Sequence, residues 1–165
     1  MAWSGRFDVA KRSPAPAEPS PFQALLQRLE IRDVQMVAEM VTADVGFVRR
    51  HGQVDGNVEV ALDVRSEPSL MLGGGQLECL LTFHWRVFEP AGEQPLVSVE
   101  ERYLLSYSVT GTEPVADDTL RAFADNNAAF NAWSFFRQSL HATTLRMGLP
   151  PFTLPLLKPR TPPRW

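Results

Sequence analysis

The chain has 165 residues, 44% of them hydrophobic and 21% charged, with a formal charge of −3. That is the length of one domain with ordinary globular composition, and so small a charge announces neither a nucleic-acid nor a membrane partner. The single cysteine, Cys79, excludes an internal disulfide and a multi-cysteine zinc site, and fits a reducing compartment.

In chain order, residues 1–21 are expected to form a disordered leader, because "SPAPAEPSP" at 13–21 offers Pro and small residues but little apolar surface. The start "MAWSGRFDVAKRS" has no apolar signal core, and no run reaches the roughly 18 apolar residues of a membrane span. The expectation is a cytoplasmic protein without direct membrane insertion. A single domain follows over residues 22–157, and the basic, Pro-rich "KPRTPPRW" at 158–165 reads as a tail.

Within that domain the apolar period is first close to two. "LEIRDVQMV" reads as a strand whose alternation slips near Arg32 and Asp33, which predicts a bulge. "NVEVALDVR" alternates Val58, Val60, Leu62 and Val64 with polar residues. "LECLLTFHWRVF" sets Leu77, Cys79, Leu81, Phe83, Trp85 and Val87 on one side, and "VSVEERYLLSYSV" repeats the pattern from Val97 to Val109. The segments "SLMLGGGQ" and "EPAGEQP" between them read as hairpin-like turns.

After Gly111 the period becomes helical. Asp117 or Asp118 is expected to cap a helix carrying Leu120, Phe123, Phe130, Trp133, Leu140 and Met147, which Gly148 and Pro150–Pro151 stop. Phe135 and Phe136 fall off that stripe, and Arg137 is the only charge between Asp125 and Arg146. A helix apolar on more than one face needs a second cover besides the sheet, and a second copy of the chain is the most economical one. The fold class is therefore α+β: a four-stranded antiparallel sheet with a long C-terminal helix packed on one face.

Catalytic and metal-binding patterns are missing. His51, His84 and His141 have no second ligand at metal spacing, and Ser139 and His141 cannot face each other two positions apart on a helix. "GGG" at 73–75 lacks the Lys-Ser/Thr of a phosphate loop. Cys79 falls mid-strand on the apolar side, as a small core residue does. No cofactor, metal or catalytic residue is expected, and the chain does not read as an enzyme.

Asn127, Phe130, "AWSFFRQSL" at 132–140 and "RMGLPPFTLPLL" at 146–157 resemble the signature region of SecB and SecB-like chaperones, in which an aromatic-rich, Arg-containing helix runs into a Gly-x-Pro loop. Trp133, Phe135, Phe136 and Arg137 match the helix, with Ser134 in place of the usual Pro. Gly148, Pro150 or Pro151, Phe152, Leu154 and Pro155 match the loop. "QRLEIRDVQM" and "NVEVALDV" resemble the family's first two strands.

The resemblance implies an ATP-independent holdase for unfolded client polypeptides, assembled as a dimer of dimers (a homotetramer) with the helices inside. By position it implies a client groove of Val58, Val60, Leu62, Leu149, Phe152 and Leu154. It implies an oligomer interface of Phe130, Trp133, Phe136, Arg137 and Leu140. Of the family's acidic docking face for the export translocase motor only Asp33 is present, because Val37 stands where the next acid is expected. The second helix that normally follows the loop is also not apparent. A chaperone of an aggregation-prone antitoxin is accordingly a better analogy than general protein export. An adaptor of the same fold that recognises one folded partner is the competing reading, and a small-ligand or enzymatic α+β domain is a third.

Overall fold

A computed structural model describes residues 19–53, 57–71 and 75–157. The expected leader, except for its last three residues, and the expected tail lie outside them. A short helix α1 (Pro21–Arg28) fills a stretch to which the periodicity assigned nothing. Ser20 starts it through a capping box with Gln23, and Pro21 at the first turn needs no N–H.

Four strands follow: β1 (Leu29–Ala43), β2 (Glu59–Met71), β3 (Gln76–Phe88) and β4 (Pro95–Val109). They form one antiparallel sheet in the order β1-β4-β3-β2, so β1 and β2 are its edges although adjacent in sequence. The connection between them contains helix α2 (Val45–Arg49), capped by Asp44, whose carboxylate accepts from the Phe47 amide at 2.7 Å. The bulge expected near Arg32 is present between Ile31 and Asp33, and a second lies between Met36 and Ala38. β2 runs to Met71, six residues beyond Arg65. "SLM" at 69–71 is strand rather than turn, because these residues continue the pairing with β3 as far as Met71 opposite Gln76.

Leu77, Cys79, Leu81, Phe83, Trp85 and Val87 of β3 are buried on one face, as their alternation predicts. Helices α3 (Asp117–Phe123) and α4 (Ala129–Arg146) cover that face, joined by a π-helical turn, Ala124–Ala128. Phe136 stacks on Phe83 with ring centroids 4.6 Å apart. Two expectations for this helix change. Ala116, not an aspartate, is the N-cap, and Asp117 and Asp118 lie in the first turn, where they favour the positive end of the helix dipole. The π turn adds a residue to one helical repeat and rotates everything after it. The buried stripe consequently passes from Leu120 and Phe123 to Ala128, Ala132, Trp133, Phe136 and Leu140, while Phe130 turns outward. Gly148, at φ 71°, closes α4 in a Schellman motif: its amide donates to the Leu145 carbonyl, and that of Leu149 to Thr144.

Candidate functional site

β2 meets the helix-covered face at its rim. Val60, Leu62 and Val64 lie opposite Val87, Trp85 and Phe83 of β3, which puts them on the helix side. β2 has no strand beyond it, and α3 and the π turn reach it only around Ser66 to Pro68, so Val58, Val60 and Val64 remain 40%, 44% and 43% exposed; Leu62 is half-buried. Beyond Trp85 stands the extended segment 149–157, whose half-buried Phe152 packs on the Trp85 ring at 4.9 Å between centroids. β2 and this segment stand on either side of the buried Trp85, which Phe152 covers, and are the two walls of a candidate apolar groove.

The second wall is held by a row of side chains from α4. The Phe152 amide donates to Thr144 Oγ1 at 3.1 Å, and His141 Nδ1 lies 3.0 Å from Thr153 Oγ1. Arg137 Nε donates to the Leu154 carbonyl at 2.6 Å, and Trp133 Nε1 to that of Pro155 at 2.9 Å. One α4 residue about every turn thus grips successive loop residues, which explains why a segment without regular hydrogen bonding keeps an extended path. The near end is fixed against the β1–β2 connection. Gly52, at φ 78°, approaches Leu149, Pro150 and Phe47 so closely that an added Cβ would lie 3.1 Å from Pro150. His51 Nδ1 lies 3.3 Å from the Gly148 carbonyl.

Of the six residues expected in a client groove, Val60 and Leu62 lie on the helix side of β2, Val58 is exposed just before that strand, and Phe152 is half-buried on Trp85. Leu149 and Leu154 are buried core anchors that hold the second wall. Val64 is exposed on the same face of β2, and Trp85 is the buried residue beneath Phe152. Val64 was visible as the next member of the β2 alternation, whereas Trp85 is identified only by the strand register.

The residues expected at an oligomer interface divide differently. Trp133, Phe136 and Leu140 are buried within the chain's own core, and Arg137 bonds its own loop. Phe130 faces outward together with Phe135 and Leu145. The helix-side residues Ile31, Met36 and Val41 of β1 are also exposed, because α4 lies over β3 and β4 and reaches β1 chiefly through the Arg146–Glu39 ion pair at 2.8 Å. Asp33 lies on the opposite, open face of the sheet. It accepts from the Val34 amide at 2.8 Å and from Gln35, on a face of mixed charge that includes an Arg102–Glu100 pair.

Chemically reactive groups are quenched. Burial pushes the Cys79 thiol up to about 12, leaving it protonated and inert at neutral pH. His84 Nε2 lies 2.8 Å from Ser98 Oγ, but the neighbouring Glu100 carboxylate is held by Arg102. Among the described residues no His, Cys, Asp and Glu gather at metal-binding distance, and no helix is long and apolar enough to cross a membrane.

No protein-family model and no curated protein matches the sequence. Among solved structures the chain is similar to the Mycobacterium tuberculosis Rv1957 SecB-like chaperone in complex with a ChAD peptide from the Rv1956 HigA1 antitoxin. The TM-score is 0.69 at 17% identity, covering 85% of this chain and 99% of that one. A protein of unknown function from Streptococcus agalactiae aligns with a TM-score of 0.43 and 10% identity over 77% of this chain and 96% of that one. The sheet order, the long C-terminal helix and the first of these similarities together make the fold SecB-like.

Proposed function

We propose that this SecB-like chain is an ATP-independent holdase that binds nonnative polypeptide in the groove between β2 and segment 149–157. The observation that carries the reading is apolar surface left uncovered beside a rigidly held wall: Val58, Val60 and Val64 exposed across from Phe152 and Trp85. Contiguous apolar surface is costly in water, and an apolar groove without polar readout suits clients that share only exposed hydrophobic segments. The similar Mycobacterium tuberculosis chaperone is in complex with a peptide from an antitoxin, which supports a client polypeptide of that kind. The mixed charge around Asp33 offers no acidic docking face, so export through the translocase motor is not part of the proposal.

The proposal includes cytoplasmic action and assembly of identical copies, a dimer of dimers in the SecB-like manner. The second copy covers the helix side of β1 at Ile31, Met36 and Val41, together with outward residues of α4 that include Phe130. The test is protection of several unrelated unfolded proteins from aggregation at equimolar chaperone without nucleotide. Protection of each supports a holdase; protection of one alone would make the chain a dedicated adaptor.

A further inference from the structure

Segment 149–157 runs back along α4 toward the start of that helix. Phe152 is bonded at Thr144, Thr153 lies at His141, Leu154 is held by Arg137 and Pro155 by Trp133. The sheet traces the same direction. Phe152 packs on Trp85, which lies opposite Leu62 of β2, whereas the π turn meets β2 four residues further on, where the Ser66 hydroxyl donates to Asp125. The chain leaving Leu157 is therefore aimed at the place where β2, α3 and the π turn converge.

An open cleft of about 520 Å³ lies there. Buried Leu120 of α3 and half-buried Pro68 of β2 give it an apolar base, and its charged residues are exposed. Those are mainly acidic: Glu67, Asp117 and Asp125 stand against Arg121 alone. Among the described residues none of these three carboxylates forms an ion pair, although Asp63 and Glu100 of the sheet each do.

The sequence after Leu157 carries the complementary charge. "KPRTPPR" at 158–164 holds Lys158, Arg160 and Arg164 and no acid. Its reach also fits. Asp125 precedes Trp133 by eight residues, about 12 Å of helix at roughly 1.5 Å per residue. A Pro-rich chain advances about 3.1 Å per residue, so about four residues beyond Pro155 span that distance and bring Lys158 and Arg160 level with the cleft. Pro159, Pro162 and Pro163 have no N–H to satisfy and can lie against Leu120 and Pro68 without a ladder partner.

We infer that the cleft between β2 and α3 is the docking site of this chain's own basic segment, residues 158–164. Lys158 and Arg160 meet Glu67, Asp117 and Asp125, and the prolines cover the apolar base. Exposed ion pairs are individually weak, but a short tether holds the segment at a roughly millimolar effective concentration, where a few pairs suffice. The inference does not depend on what the neighbouring groove binds.

Zero-length carbodiimide cross-linking of the full-length protein, mapped by peptide mass spectrometry, tests this. The reagent joins an amine to a carboxylate that it touches, and Lys11 and Lys158 are the only lysines. Mixing isotope-labelled with unlabelled protein separates links within one copy from links between copies. The docked segment predicts Lys158 joined chiefly to Glu67, Asp117 or Asp125 of its own copy. The yield should fall about threefold or more at high salt, and likewise in the double variant Arg160→Glu/Arg164→Glu, which keeps Lys158 and alters no described residue.

Lys158 joined chiefly to carboxylates outside the cleft, or to none, would overturn the docking site. Lys11 in its place would make residues 1–18 the occupant, and links between copies would make the cleft a contact between chains; either result overturns the inference. A yield indifferent to both salt and the double variant would overturn recognition by charge.

Discussion

Glu101 interrupts an otherwise apolar face of β4, fully buried opposite Phe83 of β3 and Glu39 of β1. The Tyr103 hydroxyl donates to its Oε2 at 2.6 Å, and the Ser139 hydroxyl also acts on the carboxylate as a hydrogen-bond donor. Burial raises the carboxyl above its ordinary 4.5, with Glu39 adding to the shift and the hydrogen bonds and Arg146 opposing it. Because the folded value exceeds the unfolded one, Glu101 contributes stability that is fully present below about pH 4.5 and is lost as pH rises through the folded value. Glu101→Gln keeps an acceptor for Tyr103 and removes the ionisation. The expected result is a higher melting temperature than wild type at about pH 8, with the difference shrinking toward pH 5. Thermal unfolding across that range checks it, and a variant destabilised equally at every pH would contradict it. Sequence alternation alone passes from Val99 to Tyr103 and does not explain Glu101, because a carboxylate in such a pattern is ordinarily read as the outward residue.

Segment 149–157 combines two roles that substitutions can separate. Leu154 is buried beneath the Arg137 contact, whereas Phe152 is half-buried on Trp85 in the groove wall. Leu154→Ala should cost about 2–5 kcal/mol of stability, the range for emptying a core leucine site, and weaken client binding only through misfolding. Phe152→Ser should leave the melting temperature closer to wild type and lower affinity per folded molecule. Chemical denaturation and client titration on the same samples distinguish the two, and a collapse of stability at Phe152→Ser with unchanged affinity would make the whole segment structural. The strands were legible because a one-sided sheet enforces a period of two, and even the first bulge of β1 appeared as a slip of phase. The face of α4 was not, because the π turn has no composition of its own in "ADNNA" and shifts every later residue. The end of β2 was hidden for a related reason: Pro68 and the following glycines look like a turn unless the strand is known to be an edge.

At the scale of the molecule, two apolar regions are exposed on opposite sides of α4: the groove beside β2 and the helix side of β1. Assigning one to clients and the other to a second copy has separate consequences. Met36→Lys, on β1 and remote from the groove, should yield smaller particles by sedimentation while the isolated fold melts cooperatively, since an unpaired ammonium in an apolar interface is costly. Unchanged particle mass would remove β1 from the interface. For the groove, Val60 is the sharper probe, because it is exposed on an edge strand and a charge there disturbs no core packing.

The most direct measurement of the central claim is equimolar protection of unrelated unfolded proteins from aggregation, compared between wild type and Val60→Asp at matched thermal stability. Wild type is expected to protect each client without nucleotide, and the variant to protect none or need about tenfold more protein. Equal protection by both proteins, or none by wild type, would contradict the account.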